Sequence, residues 1–185
     1  MPIIKMNTAL LVIDIQNDYF ANGAAPLINP DKAAANAARI LEYSRKQQQL
    51  CIHIQHIANR PGATFFVPGT AGAEIHQAVM PLAGEKLFTK HYPNSFRETG
   101  LLQYLHSQQI TDLVICGMMT HMCIDATTRA AKDYGFNCTV IGDACATKDL
   151  DINETAVKAG DVQTAFLAAL NYFYASVINT NDYLK

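Results

Sequence analysis

The chain has 185 residues, half of them hydrophobic and 16% charged, with a formal net charge of −2. That is enough chain for one substantial core, and it carries too little basic charge for a nucleic-acid or anionic-membrane surface. No apolar run reaches the ~20 residues that cross a bilayer, no secretion signal is read at the start, and five cysteines without paired spacing suit free thiols in the cytoplasm.

In chain order, "ALLVIDI" (Ala9–Ile15) is a near-continuous run of branched apolar residues, as in a strand buried on both faces. Asn29-Pro30 offers a helix cap and a first-turn proline, and residues 31–49 behind it are rich in helix formers. Leu50–Ile57 predicts the second strand. Residues 58–76 are marked by glycine and proline and are long for a connection, which suggests a functional loop. Residues 85–92 hold a short strand, residues 99–109 a helix, and Asp112–Gly117 a strand. Cys123 then opens a helix to Tyr134, stopped by Gly135. Residues 137–144 predict another strand, residues 153–175 a mostly helical segment, and residues 176–180 the last strand.

This alternation predicts one α/β domain over residues 1–185, a doubly wound, mainly parallel sheet with helices on both faces. In such sheets ligands bind beyond the carboxyl ends of the strands. That rule singles out Asp14, the loop after His56, the turn at Gly117–Cys123, and Asp143.

A thiol at a strand-turn-helix junction is open to two readings. Cys123 is either a small buried hydrophobe or a nucleophile whose pKa a helix N-terminus lowers. Cys51, Cys116 and Cys138 lie inside apolar strands and suit the first reading; Cys145 stays open. Asp14, near the end of the first apolar run, needs a partner if buried. It is either half of a structural ion pair or a general base. Asp18 suits ordering of the loop that follows. Lys90 is either a solvated lysine or the cation paired with Asp14. His53 and His56 fall on opposite faces of a strand, which is poor chelating geometry, and no metal or cofactor is expected.

The segments "ALLVIDIQNDYF", "TKHYPNSF", "VICGMMTHMCIDATTRAAKDYGF" and "VIGDACAT", with "PGTAGAEIH" as a weaker fifth, together resemble the isochorismatase-like cysteine hydrolase superfamily. The resemblance spans most of the chain and implies a Rossmann-like sheet and a cysteine–aspartate–lysine triad. On this sequence the triad falls on Cys123, Asp14 and Lys90. The resemblance also implies a non-proline cis peptide between Met118 and Met119, and an oxyanion hole from the N–H groups of Met119 and Cys123. Two departures narrow the activity. Siderophore-pathway isochorismatases typically lack the cysteine, whereas Cys123 is present. Nicotinamidases usually carry an Asp-x-His metal motif on the second strand, and the corresponding Cys51-Ile52-His53 has no carboxylate.

The resulting expectation is a hydrolase that cleaves a C–N bond in a small amide or carbamoyl compound through a thioester. The alternatives are hydrolysis of a non-amide substrate and a non-catalytic binding or thiol-sensing protein. Plausible pocket walls are Phe20, Phe65, Phe66, Tyr92 and Phe96, with Gln16 and His121 as polar contacts. The low charge and the resemblance suggest a homo-oligomer, a dimer or tetramer, acting on a small molecule.

Overall fold

All six side chains of β1 (Thr8–Ile13) are buried, which places this strand at the centre of the protein. Strand alternation sends Leu10 and Val12 into one apolar core and Ala9, Leu11 and Ile13 into a second. In the computed structural model, which describes residues 7–185, β1 pairs in parallel with β2 (Leu50–His56) on one edge and β4 (Asp112–Met118) on the other. Residues 1–6 of the expected domain lie outside the described residues. β3 (Lys86–Lys90) extends the sheet past β2, and β5 (Asn137–Ala146) and β8 (Ser176–Ile178) extend it past β4. The six strands run parallel in the order β3-β2-β1-β4-β5-β8. The chain therefore builds outward from β1 in one direction, then returns and builds outward in the other. The reversal lies between β1 and β4.

Helices cover both faces. α1 (Pro30–Lys46) buries Ala33, Ala37, Ile40 and Leu41 in the first core. α2 (Leu101–Ser107), α3 (Asp125–Asp133) and α4 (Ala159–Phe173) supply Leu101, Leu105, Ala131 and Leu170 to the second. A short α5 (Thr180–Tyr183) sets Tyr183 edge-on to Tyr43 of α1. Among the described residues no helix is long and apolar enough to cross a membrane.

Three local expectations are corrected. Asn29 makes no side-chain cap; it sits in the left-handed region, with φ 54°, and Pro30 alone marks the helix start. The predicted helix over residues 153–175 begins only at Ala159. Its first part is an antiparallel hairpin of β6 (Leu150–Ile152) and β7 (Thr155–Val157), turned by Asn153 and Glu154 at φ 47° and 62°. Cys123 does not open a helix either. It lies in a π-helical turn, Thr120–Ile124, that leads into α3.

Gly117 explains how β4 can pass the end of β1. Its φ is 136°, and a Cβ there would sit 1.9 Å from the Ile13 carbonyl oxygen. The β4–β5 register shifts between Ile115 and Gly117, so a bulge forms where the sheet reverses direction.

Candidate active site

Three strand ends converge at the reversal. Asp14 follows β1 with φ 51°, and its N–H donates to the Ile54 carbonyl at 3.0 Å. Aspartate is among the few side chains that adopt this left-handed conformation readily. Lys90 is the last residue of β3. Cys123 lies on the turn after β4, beyond a cis peptide between Met118 and Met119. Asp14, Lys90 and Cys123 are all buried.

The Lys90 ammonium joins the other two. Its Nζ lies 2.6 Å from Asp14 Oδ2 and 3.1 Å from Cys123 Sγ, and donates to the Tyr92 carbonyl at 3.0 Å. His56 Nδ1 approaches to 3.3 Å. Because Lys90 can only donate, Nδ1 accepts and the neutral ring carries its proton on Nε2. The Asp14–Lys90 contact is a buried ion pair. Asp14 Oδ1 has no hydrogen-bond partner among the described residues.

The electrostatics follow from this packing. Burial disfavours the Lys90 charge, but Asp14 and Cys123 outweigh it and its pKa is raised. Burial pushes the Cys123 thiol far above its ordinary value; the Asp14 charge adds to this and Lys90 opposes it. Burial and a neighbouring carboxylate thus act against the lowering that a helix N-terminus alone would give. Burial also lowers the pKa of His56 to about 4, with Asp14 opposing and Lys90 adding.

A cavity of about 310 Å³ opens onto Cys123. Phe65, Phe66, Tyr92 and Met119 line it, as do Tyr19, His56, Arg60, His91 and Met122. Of the residues expected as walls or contacts, Gln16, Phe20, Phe96 and His121 do not line it; Phe96 packs in the second core against Tyr134 and Phe136. The Gln16 amide is consumed by the backbone: it donates to the carbonyls of His56 and Ala73 and accepts from the His56 N–H. Phe20 stacks on His76. His121 bonds to Thr147 and packs on Phe166. Asp143, expected at a strand end, lies inside β5, lines a separate cavity of about 510 Å³ and accepts from the backbone and hydroxyl of Thr180. His56 was legible as a strand end but not as a neighbour of Lys90. Tyr19 gave no sequence signal beyond following Asp14.

The turn that presents Cys123 is pinned from α4. Thr120 Oγ1 donates to Gln163 Oε1 at 2.6 Å, while Gln163 Nε2 donates to the carbonyls of Gly142 at 3.1 Å and Cys145 at 3.3 Å. Asp18 orders the opposite wall, accepting from the N–H groups of Phe66 at 2.6 Å and Ala24 at 3.1 Å.

Residues 8–180 match the Isochorismatase domain family. The chain belongs to the isochorismatase family. It is 52% identical over 180 residues to an uncharacterized isochorismatase family protein, YddQ, of Bacillus subtilis, covering 97% of this chain and 100% of that protein. It is 32% identical over 176 residues to a maleamate amidohydrolase of Pseudomonas putida, covering 84% of this chain and 82% of that one. A crystal structure of an isochorismatase hydrolase from Oleispira antarctica superposes with a TM-score of 0.94 at 44% identity, covering 97% of both chains. Members of the family are hydrolases, amidohydrolases among them, and the six-stranded parallel sheet is the α/β fold its solved structures share.

For this isochorismatase-family site a metal is a poor fit. Asp14, His56 and Cys123 do offer ligand atoms within 4.8 Å of one another. Lys90 Nζ, however, lies within 3.3 Å of an atom of each. A divalent ion placed there would meet an ammonium of like charge. His53 lies in mid-strand and points elsewhere, with Nε2 2.9 Å from Glu85. The residues at the end of β2 are Gln55 and His56, so no carboxylate stands at that position either.

Proposed function

We propose that this protein is a cysteine hydrolase that cleaves the C–N bond of a small amide or carbamoyl compound through a thioester on Cys123. The observation that carries this reading is the meeting of Asp14, Lys90 and Cys123 at the inner end of a cavity, with Nζ 2.6 Å from the carboxylate and 3.1 Å from the sulfur. Relatives named streptothricin hydrolase, maleamate amidohydrolase and nicotinamidase support C–N chemistry.

The thiol is protonated at rest because its pKa is raised. Asp14 takes that proton as the sulfur attacks the substrate carbonyl. The developing negative oxygen rests on the N–H groups of Met119 and Cys123. Lys90 keeps its charge throughout and holds Asp14 against the reacting atoms. Collapse of the tetrahedral adduct breaks the C–N bond, and Asp14 returns the proton to the departing nitrogen. Water then adds to the thioester with Asp14 as base, and the thiol leaves with the acid product. The walls of Phe65, Phe66 and Tyr92 favour a flat or apolar acyl part. A role as an oxidation sensor is disfavoured, since sensor thiols are exposed and of low pKa while Cys123 is buried.

The test is ammonia release across small primary amides, ureas and carbamoyl compounds, with intact-protein mass spectrometry on rapidly quenched samples. An acyl adduct on Cys123, and loss of turnover by at least about a thousandfold in Cys123→Ala, are the expected results. Turnover retained in that variant would refute the thioester route. The same proposal includes a homo-oligomer in the cytoplasm: α4 exposes Tyr172 and Phe173, at 91% and 64%, to solvent, and five buried cysteines without disulfides suit a reducing compartment.

A further inference from the structure

Two buried hydroxyls that the mechanism above does not use join the surroundings of Lys90 to the helix behind Cys123. The Lys90 ammonium has three protons, yet five acceptors lie within 3.3 Å of Nζ: Asp14 Oδ2, Cys123 Sγ, the carbonyls of Tyr92 and Pro93, and His56 Nδ1. Where Nζ settles among them depends on how firmly the two carbonyls are held. They belong to residues 91–100, a stretch of bends and turns between β3 and α2. The pairing of β3 with β2 ends at Lys90, so the sheet does not fix it.

A side-chain clasp does. Ser95 and Thr127 are both fully buried. Thr127 Oγ1 accepts from the Ser95 N–H at 3.0 Å, and lies 2.9 Å from Ser95 Oγ and 3.4 Å from the Pro93 carbonyl oxygen. One placement of protons satisfies all three contacts: the Thr127 hydroxyl accepts from the N–H and O–H of Ser95 and donates to the Pro93 carbonyl. The same carbonyl accepts from Lys90 at 3.3 Å. Thr127 stands in α3, the helix that continues from the turn carrying Cys123. The clasp therefore ties the acceptors around the ammonium to the element that places the sulfur. Packing alone would be met by valine, which has the same branched shape. The next residue supplies the contrast: Thr128 is also fully buried, and its hydroxyl has no hydrogen-bond partner among the described residues.

We propose that Ser95 and Thr127 are positioning residues whose hydroxyl pair holds the Tyr92 and Pro93 carbonyls in place, and so keeps the Lys90 ammonium in contact with the Cys123 sulfur. The proposal rests on the cysteine-hydrolase reading and goes beyond it by assigning two residues that act through Lys90.

The experiment compares Thr127→Val, Thr127→Ser, Ser95→Ala and Thr128→Val with the wild-type protein, on the amide that the screen above finds to be turned over. Thr127→Val should lower kcat by at least about tenfold with KM within about twofold. Thr127→Ser keeps the hydroxyl and should recover most of that loss, and Thr128→Val should leave kcat unchanged. A packing role alone would lower the melting temperature and leave kcat at the wild-type value. Wild-type kcat in Thr127→Val, a serine variant no better than the valine one, or an equal loss in Thr128→Val overturns the proposal. Should Thr127→Val not fold, Ser95→Ala, which breaks only the contact between the two hydroxyls, should lower kcat by about threefold, and an unchanged kcat there overturns the proposal. Crystal structures of the wild-type protein and of Thr127→Val or Ser95→Ala give a readout that needs no substrate. The Nζ–Sγ separation should lengthen by at least ~0.5 Å in the variant, and an unchanged separation overturns the positioning role. If no amide is turned over, the amide chemistry fails while that distance still decides the role of the clasp.

Discussion

The ammonium of Lys90 is the residue on which the site's charges depend. It is fully buried and neutralised by a fully buried carboxylate. Removing one partner of such a pair leaves the other charge without compensation. Asp14→Asn should therefore cost about 3–5 kcal/mol in urea unfolding, well above the cost of Cys123→Ala, which leaves the pair intact. His56 makes a second prediction. The unfolded chain protonates it near pH 6.5, the folded protein only near 4. The stability tied to its neutral ring is present above pH 6.5 and is lost as pH falls from there toward 4. Urea midpoints measured across that window should slope downward with acid, and His56→Gln should flatten the slope. At this scale the sequence was informative about which groups matter, since an aspartate at the end of an apolar strand and a thiol at a strand-to-helix junction both demand an explanation. It was uninformative about who satisfies whom. Gln16 looked available to a substrate because nothing in its neighbours reveals that two backbone segments claim its amide. Cys123 looked activated because the helix argument ignores how deeply a side chain is buried.

At the scale of elements, the central strands β1 and β4 were legible because strands buried on both faces must be written as unbroken apolar runs. The hairpin of β6 and β7 was not. Its strands are three residues long, pair mainly with each other, and are largely exposed, so no hydrophobic period marks them. The π-helical turn was equally hidden, because its residues differ little from those of an ordinary first helical turn. Gly117 gives the element-scale prediction. A methyl group there would collide with the backbone of β1, which the two-sided burial of that strand holds in place. Gly117→Ala should destabilise the protein by about 2–4 kcal/mol and lower turnover, since the same bulge leads into the turn that carries Cys123. Thermal denaturation and kinetics read the two effects separately. Gly135→Ala, where a Cβ meets nothing within 4 Å, serves as the comparison for φ cost alone.

For the whole molecule, the order of strands decides where chemistry happens. Building outward from β1 in both directions leaves one crevice at the carboxyl ends, and residues distant in sequence meet there. The alternation of elements made this architecture readable; the position of the mouth, and the identity of Tyr19 and Arg60 on its wall, required coordinates. The exposed aromatic end of α4 gives a prediction at this scale. Sedimentation should show a multiple of the 20.3 kDa chain, and Tyr172→Glu with Phe173→Glu should shift it to the monomer mass. A last consequence concerns the five sulfurs. Every cysteine is shielded inside the native protein, and burial raises the pKa of each of four of them besides the one at the crevice. Loss of structure returns all of them to ordinary aqueous acidity, near 8.5. A chloroacetamide-type reagent at mild alkaline pH should accordingly label the native protein slowly and the denatured protein quickly. Its uptake at the four cysteines away from the crevice then works as a clock for global opening.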